Sequence, residues 1–177
     1  SNDFFLKSNF TNKMGIEEYF VDDGHVKKPK IIKFNNKIDF HNYFNLDKKK
    51  KNILILPHIL IDNLFTTEWS LFESPLVWLL ETLKKIKYID NVNWIIKPHP
   101  SESVFIETKQ GLSVKKIFNK LNLRKSNIKL LENGIVIKNI EKYISCVLTS
   151  HGSSGYEYTA LGKPVINTAD AYYSNFN

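Results

Sequence analysis

The sequence predicts an α/β protein: a Rossmann-like parallel sheet with helices on both faces. Three observations predict it. Short apolar, β-branched runs recur at residues 53–56, 92–96, 128–131, 147–149 and 164–167, each the length of a buried strand. Between them lie segments whose apolar residues recur at helical spacing. Two of the runs end in polar motifs rich in Pro, His, Ser and Gly, and in an open parallel sheet the strand exits are where ligands are met.

The elements follow in order. The run 53–56 is stopped by Pro57 and reads as a strand buried on both sides. Pro75 suits the first position of a helix, and Leu76, Val77, Leu79, Leu80, Leu83 and Ile86 supply its apolar stripe. The strand 92–96 runs into Lys97-Pro98-His99-Pro100. A helix over 114–121 carries Val114, Ile117, Phe118 and Leu121 on one face, a strand covers 128–131, and 137–143 reads as a short helix. The strand 147–149 leads into Ser150-His151-Gly152-Ser153-Ser154-Gly155 and a helix over 154–161. Gly162 ends that helix as a C-terminal glycine, and 164–167 begins the fifth strand. Strands separated by helices argue for a parallel sheet covered on both faces. Residues 1–52 differ: they are aromatic-rich and polar, and close on Lys48-Lys49-Lys50-Lys51, a like-charge block that reads as a solvated linker end. The expected division is therefore 1–52 and a nucleotide-binding domain over 53–177.

Composition narrows the function classes. A chain of 177 residues with 42% hydrophobic and 13% aromatic residues has enough apolar material for a core. The net charge is +7, yet Arg124 is the only arginine. Readers of nucleic acid favour arginine for bidentate contacts, so no nucleic-acid partner is expected. The positive field suits attraction of an anionic ligand, or peripheral contact with an acidic membrane face. The single cysteine, Cys146, excludes an intrachain disulfide and a Cys-based zinc site, and reads as a buried, inert thiol. No apolar stretch approaches the roughly 18 residues that span a bilayer, and the N-terminus lacks a signal-peptide pattern. The expected location is the cytoplasm, including the inner face of the cell membrane.

Three motifs carry chemistry. In residues 150–155, Gly152 and Gly155 let backbone approach a ligand, and Ser153 and Ser154 add hydroxyl donors at a helix N-terminus. Ser153 is expected to cap that helix, and the whole segment suits a phosphate. Pro98 and Pro100 stiffen the loop that holds His99, a group able to donate to a phosphate or protonate a leaving group near neutral pH. Lys97 either steers an anion or faces solvent. Asp22-Asp23-Gly24 is a turn signal on its own; in company with the other two, Asp23 suits a general base, its neighbouring like charge helping to raise its pKa. Glu132, after the third strand, and Glu157, one turn into the last helix, are candidates for the ribose hydroxyls of a nucleoside. His58 and His151 also stand near strand exits, but no metal-binding spacing links them to His99 and Asp23, so no metal site is expected.

The ordered set Asp-Asp-Gly, His-Pro and Ser-Ser resembles the bacterial sialyltransferases and polysialyltransferases of the GT-B fold, over roughly residues 19–167. The resemblance implies one half of a GT-B glycosyltransferase, residues 1–52 being the tail of the acceptor-side domain plus linker. It implies Asp23 as general base, His99 as donor-phosphate ligand and acid, and Ser153 and Ser154 as ligands of the phosphate of CMP-sialic acid. It further implies metal-independent chemistry without a cofactor, the nucleotide sugar being substrate, and a glycan or lipid-linked glycan as acceptor. The stretch 155–166, Gly-Tyr-Glu-Tyr-Thr-Ala-Leu-Gly-Lys-Pro-Val-Ile, is also similar to the donor side of capsule-polysaccharide and CDP-glycerol transferases. That leaves CDP-glycerol, CMP-Kdo or a UDP-sugar as alternative donors, and a non-catalytic nucleotide-binding module as an alternative role. Because the acceptor half precedes the acid motif in such enzymes, the chain is expected to be a portion of a longer one.

Overall fold

The computed structural model describes residues 32–60, 70–100, 102, 113–131, 135 and 137–170. The strands β1 (Lys51–Leu56), β2 (Val92–Ile96), β3 (Ile128–Leu130), β4 (Cys146–Thr149) and β5 (Val165–Asn167) form one sheet in the order β3-β2-β1-β4-β5. Every pairing is parallel, the predicted fold class. Around the strands lie α1 (Lys37–Phe44), α2 (Pro75–Ile86), α3 (Val114–Lys120) and α4 (Ser153–Ala160), with 3-10 turns at Ile137–Asn139 and Glu141–Tyr143 in place of the expected short helix.

The alternation of side chains along each strand divides the core in two. Ile55, Trp94, Ile96 and Ile128 point to one face, where Trp78, Leu79, Leu83 and Ile86 of α2 and Val114, Ile117 and Phe118 of α3 cover them. Leu54, Leu56, Ile95 and Val147 point to the other, against Phe34 and Phe40 near and in α1, Tyr143, and Tyr158 of α4. Residues 34–46 thus share the core of the sheet: the Phe40 ring stacks on Tyr143 with centroids 4.7 Å apart. The helix starts follow local chemistry. Ser74 accepts from Val77 N at 3.2 Å ahead of Pro75, and Ser113 accepts from Lys116 N at 3.1 Å.

At the amino end of the sheet, paired Asn52 and Asn93 fix the register of β1 against β2. Asn93 Nδ2 donates to Asn52 Oδ1 at 2.8 Å, Asn52 Nδ2 donates to the Tyr143 carbonyl at 2.9 Å, and His41 Nε2 lies 3.3 Å from Asn52 Nδ2. A buried amide left without partners costs about 1–3 kcal/mol, so a slipped register, which would strand both asparagines, is disfavoured. The other end of the sheet is built differently.

Candidate functional site at the carboxyl edge of the sheet

A parallel sheet ordered 3-2-1-4-5 has its topological switch between β1 and β4, where the connections leave for opposite faces and a crevice opens at the strands' carboxyl ends. The register fills this edge in rows. Leu56 pairs with Thr149 across β1 and β4, Ile55 pairs with Ile96 across β1 and β2, and Lys97 N donates to the Ile55 carbonyl at 3.0 Å. Leu56 and Thr149, which end β1 and β4, and Lys97, one residue past the end of β2, are therefore level, and two residues beyond each stands a histidine: His58, His99 and His151.

The rings meet. His58 and His151 are stacked, centroids 4.3 Å apart and planes 20° apart, while His58 and His99 are 6.2 Å apart. His58 Nδ1 lies 3.3 Å from the Ile59 carbonyl and His151 Nδ1 lies 3.1 Å from Ser150 Oγ. Thr149 Oγ1 donates to the Leu56 carbonyl at 3.1 Å, and the Ser150 carbonyl accepts from Thr168 N and Ala169 N at 3.3 and 3.1 Å. The β4 exit is thereby tied to its neighbours on both sides. Among the described residues, no group of three or more His, Cys, Asp or Glu is arranged to hold a metal ion.

Lys97 is the outlier of this edge. Only 6% of its surface is exposed, and burial pulls its ammonium down to about 8 from the ordinary 10.5. It does not face solvent, which removes one of the two sequence readings. Its ammonium makes no ion pair or hydrogen bond with the described residues. Burying an ammonium costs free energy that a hydrogen-bonded or ionic partner offsets.

The glycine turn departs from expectation in one respect. Gly152, not Ser153, occupies the N-cap of α4, and no side chain caps the helix. The helix begins one residue early, which places Ser153 and Ser154 in its first turn; their hydroxyls are not spent on capping. At φ −70° Gly152 adopts a conformation open to any residue, and a Cβ there would only reach ordinary contact, 3.7 Å from His58 Cδ2 and from Thr149 Oγ1. The far end of α4 is as predicted: Gly162, at φ 70°, donates to the Thr159 carbonyl at 2.9 Å and Lys163 N donates to the Tyr158 carbonyl at 3.0 Å, the paired bonds of a left-handed helix stop.

Other predicted residues fare unequally. Glu157 is exposed on α4; packing around its carboxyl raises it above the usual carboxylate range, and a hydrogen bond with Ser153 pulls the other way. Gly155 is buried inside α4. Asp23, with its neighbours Asp22 and Gly24, and Glu132 lie outside the described residues. Cys146 is half-buried in β4 rather than buried as expected, and burial pushes its thiol up. One residue escaped the sequence reading altogether. Buried Glu102 accepts from Val114 N at 2.6 Å while its own N–H donates to the His99 carbonyl at 3.0 Å. It fastens the His99 loop to the start of α3; a lone glutamate after a proline loop gives no sequence signal of that. No helix among the described residues is long and apolar enough to cross a membrane.

No family model matches the chain, and no curated protein matches it. Among solved structures it is similar to the β-Kdo 2,7 transferase of Thermosulfurimonas dismutans KpsC, at 20% identity over 71% of this chain and 36% of that one, TM-score 0.46. It is also similar to the H444N variant of the wall teichoic acid polymerase TagF, at 18% identity over 93% of this chain and 31% of that one, TM-score 0.45. A third is the UDP-GlcNAc 2-epimerase of Methanocaldococcus jannaschii, in complex with UDP-GlcNAc and UDP, at 21% identity over 76% and 33%, TM-score 0.41. The chain spans about a third of the length of each.

Proposed function

We propose that this chain is the donor-binding half of an inverting, metal-independent glycosyltransferase that uses a CMP-linked sugar such as CMP-sialic acid. The observation that carries the reading is the convergence, at the sheet's switch point, of the His99 loop, the hydroxyl-bearing start of α4 and a buried lysine with no counter-ion among the described residues. An oxygen of an acceptor glycan attacks the anomeric carbon and gives its proton to Asp23. The bond from that carbon to the phosphate oxygen breaks, and its electron pair stays on CMP. Ser153, Ser154, the α4 N-terminus, Lys97 and His99 stabilise the charge that grows on the phosphate. Glu132 and Glu157 hold the ribose.

Thermal unfolding in the presence of CMP, CDP, UDP and GDP tests the reading. A nucleotide that binds the folded chain at a hundred times its Kd adds about 2.7 kcal/mol of stability, so CMP is expected to raise the Tm. A larger rise with CDP or UDP moves the assignment to a nucleoside-diphosphate donor; no rise with any of the four refutes nucleotide binding. In the enzyme that contains this chain, His99→Ala is expected to slow turnover by about 100-fold or more. Unchanged turnover would remove His99 from the chemistry, and transfer unaffected by Asp23→Ala would favour a non-catalytic nucleotide-binding module.

A further inference from the structure

The three histidines of the carboxyl edge are not equivalent. His58 is the hub, its ring centroid 4.3 Å from that of His151 and 6.2 Å from that of His99. The transferase reading gives it no role. Its Nδ1 faces the Ile59 carbonyl at 3.3 Å, so that nitrogen carries the hydrogen and donates. In the neutral ring Nε2 then presents a lone pair, and it makes no hydrogen bond with the described residues. A lone pair repels an anion; only the imidazolium offers N–H donors on both sides. The other titratable or charged groups at this edge, among the described residues, are Lys97, His99 and Glu102 beyond β2, His151 beyond β4, Glu157 on α4 and Asp170 beyond β5. An anion beside Nε2 favours the protonated ring.

We propose that His58 is an additional anion-binding group of this crevice, taking a proton from solvent onto Nε2 as a phosphoryl group enters, so that ligand capture at the switch point is proton-linked. The proposal rests on the reading of the crevice as a phosphate site and names the group that makes it pH-dependent. No covalent step is involved: one proton moves from buffer to Nε2 and returns when the anion leaves.

The test uses inorganic sulfate, whose charge is fixed near neutral pH, titrated calorimetrically into the full chain in two buffers of different ionisation enthalpy. About one proton is expected to be taken up per sulfate, with binding roughly ten-fold tighter near pH 6 than near pH 7.5. His58→Asn keeps an amide donor for the Ile59 carbonyl and cannot titrate; it is expected to abolish the uptake and flatten the pH dependence. Sulfate binding without proton uptake, an uptake unchanged in H58N, or no sulfate binding at all overturns the proposal. Should H58N not fold, the ring nitrogen shifts of His58 in the unaltered chain decide: protonation of Nε2 on adding sulfate supports it, and an unmoved Nε2 overturns it. The two readings fail separately. Nucleotide binding without proton uptake leaves the transferase reading standing, while proton-linked sulfate binding with no nucleotide response leaves the anion site standing.

Discussion

Replacing Lys97 by methionine, close in length and free of charge, tests whether the edge carries an unneutralised cation. The ammonium titrates near 8 in the fold against 10.5 ordinarily, a gap that corresponds to about 3 kcal/mol of folding free energy. The sign follows from which state holds the proton. Below about 8 both folded and unfolded lysines are charged, and the fold bears the whole cost of burial. Between about 8 and 10.5 the unfolded chain binds more protons, so stability rises with pH through that window. Lys97→Met is therefore expected to stabilise the chain by up to about 3 kcal/mol near pH 7 and by much less near pH 10, while weakening anion binding. Urea denaturation followed by circular dichroism at the two pH values measures this. A variant no more stable than the parent near pH 7, or a gain that does not shrink at alkaline pH, would show that the charge is solvated or paired after all.

Three further outcomes follow from the same contacts. Asn52→Ala takes a donor from the Tyr143 carbonyl and an acceptor from Asn93, whose Nδ2 keeps the Asp47 carbonyl at 2.8 Å, and is expected to cost about 1 kcal/mol in urea denaturation; a neutral result would deny the amide pair its part in fixing the register. Gly162→Ala meets no atom within 4 Å but must hold φ 70°, so a loss of about 1 kcal/mol is expected from backbone strain alone, and Gly162→Asn is expected to lose less. Ser153→Ala with Ser154→Ala is expected to leave the Tm within a degree or two, since neither hydroxyl caps α4, while weakening nucleotide binding about ten-fold or more. A large fall in Tm would mean that the hydroxyls hold the helix rather than a ligand.

What was legible in the sequence was local. The strand β2 coincides with its apolar run, Pro75 opens α2, and Gly162 closes α4 because a left-handed residue is needed there. Less local features were harder to read. The helix α1 escaped because its apolar residues do not form one face: Ile38 and Tyr43 are half exposed while Phe40 is fully buried. Its termini are held by Asn36, which accepts from Asp39 N at 2.9 Å, and by Asn45 at φ 49°, and its place is set by stacking on Tyr143, distant in sequence. The burial of Lys97 ran against the strong tendency of lysine to reach water. The histidine row had a visible trace, a His two residues past Leu56 and Thr149 and three past Ile96, the ends of β1, β4 and β2. Its meaning depended on β1 lying between β2 and β4, which no single segment encodes.

A crystal structure of the chain with CMP tests the central claim most directly. The account predicts the phosphate at the start of α4, within hydrogen-bonding distance of Ser153, Ser154 and His99 and beside Lys97. A phosphate bound instead in the open basic depression lined by Arg124, Lys125 and Lys129 at the β3 edge, with the switch-point crevice empty, would contradict it.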